Sequence, residues 1–272
     1  MTANKSLNLA WQSQEKVPSL VSGDDALMVY NSLPEQARVG LRYDEASKTV
    51  IGSTPIAVAN LDILAQEYGA RTPNLRDLSR PELMRIAKGK HYIDSRNLVV
   101  RSAEDKSYPR NNNLLKTIYG LAEHKLGNIR NPFMIEGFSF APNSEDKEGY
   151  GLSLIPSKDF AVIQDERFDG RYNGERFSEV DETGIPNFDS RGNRTWYAKK
   201  DGLSRLFLSN DLDLSSYYVD LALSNDDGRV VVVSAEGASP KNLSKYLSQL
   251  QKTRDVQIAE VEGRYEAAVK VL

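Results

Sequence analysis

The chain has 272 residues, no cysteine and a formal net charge of −3. This length suffices for one large domain or two ordinary ones with cores of their own, and the absence of cysteine excludes disulfides, thiolate metal sites and cysteine nucleophiles. Residues 1–23 lack an apolar signal segment and no apolar run approaches the roughly 18 residues of a membrane-spanning helix, so we predict a soluble, cytoplasmic protein without a membrane partner.

The first half of the chain carries mainly helical patterns. Residues 1–23 are polar and predict a flexible tail, while alternating apolar residues on either side of a polar turn predict a hairpin over 38–53. Apolar residues at helical spacing, with proline near the start or glycine at the end, predict three helices and an intervening strand. The predicted helices cover residues 56–68, 81–87 and 114–126, and the strand covers 97–101.

Strand patterns dominate from about residue 130 onward. A polar turn at 143–149 between two apolar arms predicts a hairpin over 133–155. Asp-Gly and Asn-Gly turn signals separate the further short apolar segments. The further predicted strands cover residues 160–163, 195–198, 204–208 and 217–223.

The four consecutive valines from Val230 to Val233 are the strongest strand signal in the chain. β-Branched residues favour extended backbone, and a run without polar alternation is typical of a strand covered on both faces. We therefore predict a central buried strand near 229–235. A helix is predicted over 239–251, and residues 255–272 fit either another helix or a hairpin.

These patterns together predict an α+β fold. The N-terminal half is expected to be helix-rich with one hairpin, and the C-terminal half to hold a mixed or antiparallel sheet around the central strand, followed by a C-terminal helix. The change of pattern and charge near residue 128 favours an α-rich basic unit over 24–128 and a β-rich acidic unit over 129–272. A single domain with one continuous sheet is the alternative.

Positive charge is concentrated between residues 71 and 130, which hold 13 Lys and Arg against six Asp and Glu; the remainder holds 22 against 32. Cations within reach of one another bind phosphates, and aromatic side chains among them can stack on unpaired bases. A solvated surface that pairs with the acidic half is the alternative. The candidate nucleic-acid-binding residues are Arg76, Arg80, Arg85, Lys88, Lys90, His91, Tyr92, Arg96, Arg101, Tyr108 and Arg110.

Clustered aspartates, among them Asp211, Asp213 and Asp220, suggest a divalent cation site as an alternative. The spacing of a calcium loop is not met, because the sixth position from Asp211 is Ser216 instead of glycine and the twelfth is Ala222 instead of glutamate. The chain also lacks the sequence motifs of P-loop enzymes, Rossmann dehydrogenases, α/β-hydrolases and zincins. Turn-forming aspartates on a β-rich surface explain the same residues, and no cofactor is predicted.

The leading functional prediction is a binding protein without catalysis that holds RNA or single-stranded DNA on the basic segment. A metal-assisted hydrolase or transferase that uses the aspartates is the first alternative. The second is a self-associating assembly protein in which the basic part of one copy meets the acidic part of another.

Overall fold

The computed structural model describes residues 19–66 and 70–234, in which thirteen strands and four α-helices are joined by turns and short 3₁₀-helices. The helices are α1 (Asp24–Ser32), α2 (Pro55–Gln66), α3 (Pro81–Ala87) and α4 (Asn112–Leu126). The strands are β1 (Ser19–Leu20), β2 (Arg42–Asp44), β3 (Thr49–Ile51), β4 (Ala70–Arg71), β5 (Ile93–Val100), β6 (Phe133–Pro142), β7 (Leu152–Gln164), β8 (Glu175–Val180), β9 (Pro186–Phe188), β10 (Arg194–Ala198), β11 (Leu203–Leu208), β12 (Leu214–Ser216) and β13 (Val231–Ser234). Within these ranges no helix combines the length and the apolarity needed to cross a membrane.

An eight-stranded mixed sheet organises the molecule, with strands in the order β7-β6-β5-β11-β12-β10-β8-β9. Neighbouring strands are antiparallel except β10 and β12, which run parallel. Strand β5 comes from the first half of the chain but lies between β6 and β11 from the second half. The sheet therefore brings together segments that are far apart in sequence.

This architecture corrects the predicted fold class. The first half is not a helix-rich unit set against a β-rich one, because its longest strand, β5, is an interior strand of the large sheet. Helices α2, α3 and α4 and the β2–β3 hairpin do occur where the apolar spacing placed them. The predicted C-terminal helix over 239–251 and the stretch 255–272 lie outside the described residues.

Buried polar residues explain why the sequence pattern did not predict the first half of β5. The strand begins four residues before the predicted 97–101, and the added part holds Asp94 and Ser95, both buried. The Asp94 carboxylate pairs with Arg205, and the Ser95 hydroxyl donates to the Leu206 carbonyl at 2.8 Å. Because both partners lie on the neighbouring strand β11, more than a hundred residues away, local apolar pattern does not reveal them.

The valine run forms the middle strand of a small three-stranded sheet, β1-β13-β4, and not of the large one. Both of its neighbours are antiparallel. Val230 and Val232 pack into one hydrophobic cluster, and Val231 and Val233 pack into the other. The run is thus buried on both faces, but it lies outside the central sheet that the sequence led us to expect.

In the described part of the chain, two hydrophobic clusters pack on opposite faces of the large sheet. Along β5, Leu98 and Val100 enter the first cluster while Ile93 and Val99 enter the second, as alternation along a strand requires. Helices α2 and α4 contribute to the first cluster, and α3 contributes to the second. Each fully buried leucine or isoleucine contributes about 2 kcal/mol.

Candidate functional site

A cleft of about 600 Å³ lies over strands β10, β12 and β11. Five aromatic side chains line it, together with hydroxyl, amide and carboxylate groups. We call it the tyrosine cleft. The aromatic members are Tyr92, Tyr197, Phe207, Tyr217 and Tyr218.

The floor of the tyrosine cleft follows from strand register. Ser215 on β12 is paired with Tyr197 on β10 and with Phe207 on β11. Neighbouring strands are about 4.8 Å apart, so the two aromatic residues start about 10 Å apart with one small side chain between them. A short residue between two large ones leaves a depression on the face of the sheet.

The loop after β12 forms one wall. We predicted a strand over 217–223, which is wrong, because the chain leaves the sheet after Ser216. The Tyr218 carbonyl accepts from the Arg205 amide at 3.0 Å, and the Asp220 carboxylate closes a local turn by accepting from the Ala222 amide at 3.0 Å. The loop leaves Tyr217 and Tyr218 about half exposed, at 53% and 49%.

A buried ion pair fixes the corner where this loop meets β5. Arg205 is only 4% exposed and pairs with the fully buried Asp94. Burial opposes the charge on Arg205, but Asp94 outweighs this effect and raises the pKa of the guanidinium. Its guanidinium carbon also lies 5.2 Å from the ring centroids of both Tyr92 and Phe207. These contacts hold the inner end of the cleft in place.

The turn between β11 and β12 carries polar groups to the rim. The Ser209 amide donates to the Asp213 carbonyl at 2.9 Å, and the Thr195 amide donates to the Asp213 carboxylate at 2.5 Å. Leu212 has a φ of 71°, a left-handed conformation that a residue with a side chain rarely adopts. These bonds hold the turn so that Asn210 and Asp211 line the cleft.

The electrostatic character of the tyrosine cleft is acidic. Among the described residues, three aspartates line it, Asp211, Asp213 and Asp227, together with one cation, Arg205, which already pairs with Asp94. A cleft with this balance repels phosphate and sulfate groups and favours hydrogen-bond donors.

Five of the predicted nucleic-acid-binding residues are exposed: Arg76, Arg85, Lys88, Lys90 and Arg110. Arg76, Arg85, Lys88 and Lys90 have no carboxylate oxygen within 4 Å in the ranges 19–66 and 70–234. The Gly89 amide donates to the Asn210 carbonyl at 2.8 Å, which places the Lys88 to Lys90 segment beside the rim of the cleft.

The two aromatic candidates that follow this segment differ in their setting. Tyr92 lines the tyrosine cleft, where its hydroxyl donates to the Ser53 carbonyl at 3.1 Å. His91 is half buried and does not line the cleft. Burial and the nearby Arg229 lower the pKa of its imidazole.

Two further candidates are held by ion pairs. Arg80 lies 3.4 Å from Asp77 and Arg96 lies 2.7 Å from Asp62, with both aspartates buried. Their guanidinium groups therefore stabilise the fold. Neither arginine belongs to the set of exposed cations without a carboxylate partner.

Arg101 is buried, at 7% exposure, and its side chain makes hydrogen bonds inside the protein. Its guanidinium donates to the Phe168 carbonyl at 2.6 Å and to the hydroxyls of Ser204 and Ser216 at 2.7 and 3.0 Å. Burial lowers the pKa of Arg101 to about 9.

The last two candidates lie away from the tyrosine cleft. Tyr108 is partly buried against the first hydrophobic cluster. Arg110 is exposed, with its guanidinium carbon 4.2 Å from the Tyr150 ring centroid and a nitrogen 4.0 Å from the Asp220 carboxylate. The eleven candidate residues thus lie in different parts of the structure and do not form one surface.

The aspartates proposed for a metal are separated as well. Asp211 and Asp213 line the tyrosine cleft, but Asp220 is not part of its lining and faces Arg110. In the part of the chain that the structure describes, no three His, Asp or Glu residues are grouped so that they could hold a metal ion.

Sequence reasoning did not single out Tyr197, Phe207, Tyr217 or Tyr218 as functional. Aromatic residues in strand patterns usually belong to the core, and the residues lie as much as 21 positions apart. One usable signal was present. Two adjacent tyrosines in a strand would point to opposite faces, and each hydroxyl would need a polar partner if its side chain were buried.

Comparison with known proteins adds no functional assignment, since no family model, curated protein or solved structure matches the chain. The geometry of the tyrosine cleft is therefore the basis for a functional proposal.

Proposed function

We propose that the protein is a binding protein whose tyrosine cleft holds a neutral, hydroxyl-rich ligand of the carbohydrate class. The observation that carries the proposal is the row Tyr197, Ser215 and Phe207, with Tyr217 and Tyr218 half exposed beside it. Sugar rings present C–H groups on their faces, which pack against aromatic rings, and hydroxyls at their edges. The exposed rings of Tyr197, Tyr217 and Tyr218 suit such a ligand, whereas Phe207 is buried.

The polar groups of the cleft match the edges of a sugar. Carboxylates such as Asp211 and Asp227 accept hydrogen bonds from hydroxyls, and charged acceptors make the stronger bonds. The amide side chains of Asn173, Asn210 and Asn225 offer donors as well as acceptors. A few polar groups around an apolar surface, in a cleft of about 600 Å³, are typical of a small-ligand site.

Charge favours a neutral ligand. Three aspartates face the cleft and its one arginine is neutralised by Asp94. A nucleotide would stack on the tyrosines as a sugar does, but its phosphate would meet these carboxylates.

The test is calorimetric titration of the full-length protein with a panel of neutral oligosaccharides. We expect Tyr197→Ala and Tyr217→Ala each to weaken binding about tenfold, since one aromatic stacking contact is worth about 1 kcal/mol or slightly more. Asp211→Asn should weaken binding less, because the amide still accepts a hydrogen bond.

Ile155→Ala is the matched control, because Ile155 is 45% exposed, like the tyrosines, but lies on the edge strand β7. Failure of the wild-type protein to bind any member of the panel at millimolar concentration would reject the proposal. If the control and the tyrosine variants weaken binding equally, the ligand does not bind in the tyrosine cleft.

A second candidate function is binding of single-stranded nucleic acid at the exposed cations. The observation that favours it is the absence of nearby carboxylates around Arg76, Arg85, Lys88 and Lys90, within the described ranges. Cations without partners remain available to phosphates. This function would use the exposed cations, of which Lys88 and Lys90 lie beside the cleft, and not the acidic interior of the cleft.

A further inference from the structure

A second cavity, of about 480 Å³, meets the tyrosine cleft at Asp211, which lines both. It contains Arg194, the first residue of β10. Arg194 and Tyr197 are three positions apart on this strand, so their side chains lie on opposite faces of the sheet. The second cavity is therefore a separate site and not an extension of the cleft floor.

Arg194 is the unusual group in this cavity. It is 7% exposed, and no carboxylate oxygen lies within 4 Å of it in the described part of the chain. Its Nε donates to the Leu212 carbonyl at 2.6 Å and its Nη1 donates to the Ser79 hydroxyl at 3.0 Å. Its Nη2 is buried and has no acceptor among the described residues.

A buried cationic donor without an acceptor is costly. Nearly all buried polar groups in proteins have a partner, and a buried charge is expected to be paired. Burial lowers the pKa of Arg194 to about 10, which still leaves it charged at neutral pH. The Nε1 of Trp196, two residues further along the same face of β10, is also buried without an acceptor in the described chain. Trp196 is not among the residues that line the cavity, so the donor that a ligand there could reach is the Arg194 guanidinium, whose central carbon also lies 4.7 Å from the Phe177 ring centroid.

The rest of the lining restricts what the acceptor can be. Glu179 and Asp211 line the same cavity and are exposed, so a simple anion approaching Arg194 would be repelled by them. Met84, Val180 and Leu212 provide apolar surface. The matching ligand has a carboxylate, a cationic group and an apolar part.

We propose that the second cavity binds a free amino acid with an apolar side chain. Its carboxylate would pair with Arg194, its ammonium group would face Glu179 and Asp211, and its side chain would pack against Met84, Val180 and Leu212. Nη2 is buried, so contact with it requires a neighbouring side chain to move. The proposal does not depend on the identity of the ligand in the tyrosine cleft, although Asp211 lines both cavities.

The experiment is calorimetric titration of the full-length protein with L-leucine and with two analogues, each lacking one charge. L-Leucinamide lacks the carboxylate, and 4-methylpentanoate lacks the ammonium group. We expect saturable binding of L-leucine, and affinities for both analogues at least tenfold lower. Equal binding of either analogue would overturn the amino-acid assignment, as would displacement of L-leucine by equimolar inorganic phosphate.

Two substitutions assign the binding to this cavity. Arg194→Met should abolish L-leucine binding, whereas Arg171→Met, which removes an exposed arginine outside the lining of this cavity, should leave it unchanged. Glu179→Gln changes an exposed side chain and should weaken L-leucine about tenfold without weakening 4-methylpentanoate.

Glu179→Gln decides the question if Arg194→Met does not fold. Unchanged L-leucine affinity in Glu179→Gln, or in a folded Arg194→Met protein, would overturn the proposal. Neither result would affect oligosaccharide binding by the tyrosine cleft, so the two proposals fail separately.

Discussion

Arg101 follows directly after β5, and its guanidinium is enclosed by three segments of chain. Sequence alone placed it among surface cations, because arginine is usually exposed. Three hydrogen bonds to a carbonyl and two hydroxyls take the place of a carboxylate partner. All three acceptors lie at least 67 positions away in the sequence, so no local pattern distinguishes Arg101 from Arg85.

Arg101→Met should lower the free energy of unfolding by about 2 kcal/mol, since it leaves buried acceptors without their donors. Urea unfolding of the variant and of Arg85→Met, an exposed control, checks this. A midpoint for Arg101→Met equal to that of the control would show that the buried hydrogen bonds do not contribute.

The 3₁₀-helix Leu75–Ser79 is a short element that is stabilised by interactions at its N-terminus. Asn74 and Asp77 form a reciprocal capping box at its start, and Arg71 pairs with the Asp77 carboxylate. Burial alone would raise the pKa of Asp77, but hydrogen bonding and charge from Arg71 outweigh burial and hold it below the ordinary value. The segment carries Leu75 and Leu78 into the second hydrophobic cluster.

Asp77→Asn should lower the free energy of unfolding at neutral pH by about 3 kcal/mol, the typical cost of removing one partner of a buried pair. The direction of the pH dependence follows from the lowered pKa. The unfolded carboxylate binds a proton more readily, near pH 4, so the stabilisation by Asp77 is complete above that pH and is lost as the pH falls through the folded pKa.

The measurement is urea unfolding of both proteins between neutral pH and pH 3. The difference between wild type and Asp77→Asn should shrink as the medium is acidified. Glu148→Gln, an exposed carboxylate without an ion pair in the described chain, should follow the wild type throughout. A difference that stays constant with pH would contradict the role given to the Asp77 charge.

The elements also show where local pattern succeeds. Helices α2, α3 and α4 bury residues at helical spacing, so their apolar residues predict them. The loop after Ser216 was missed because its tyrosines are typical of strands, while the groups that hold it, such as the Tyr150 hydroxyl that accepts from the Leu221 amide at 3.0 Å, are distant. Strand pairing and loop tethering are long-range properties.

For the whole molecule, the uneven distribution of charge along the chain is the feature that the sequence shows most directly. The excess of cations between residues 71 and 130 is real, but the fold assigns its members to different tasks. Arg96 is held by Asp62, whereas Lys88 and Lys90 remain exposed. Counting charges along a chain therefore identifies a region but not a surface.

The exposed cations give the second candidate function a clear test. Replacement of Arg85, Lys88 and Lys90 by glutamate should weaken binding of a labelled single-stranded RNA at least tenfold and flatten its salt dependence, because fewer counterions are released. Fluorescence anisotropy at several salt concentrations measures both quantities.

The matched control carries the same charge change at Lys147, Lys158 and Lys200, which are exposed elsewhere. Equal losses in the two triple variants would attribute binding to net charge and not to these cations. Absence of binding by the wild-type protein at low salt would exclude the function.

The ion pair between Asp94 and Arg205 joins residues 111 positions apart. During synthesis, β5 leaves the ribosome long before β11 exists, so the nascent chain carries a hydrated carboxylate where the finished protein has a buried one. Until residue 208 has emerged, β5 also keeps one edge unpaired and open to other chains. The interval of translation between these two strands is thus a period in which β5 is open to pairing with another chain.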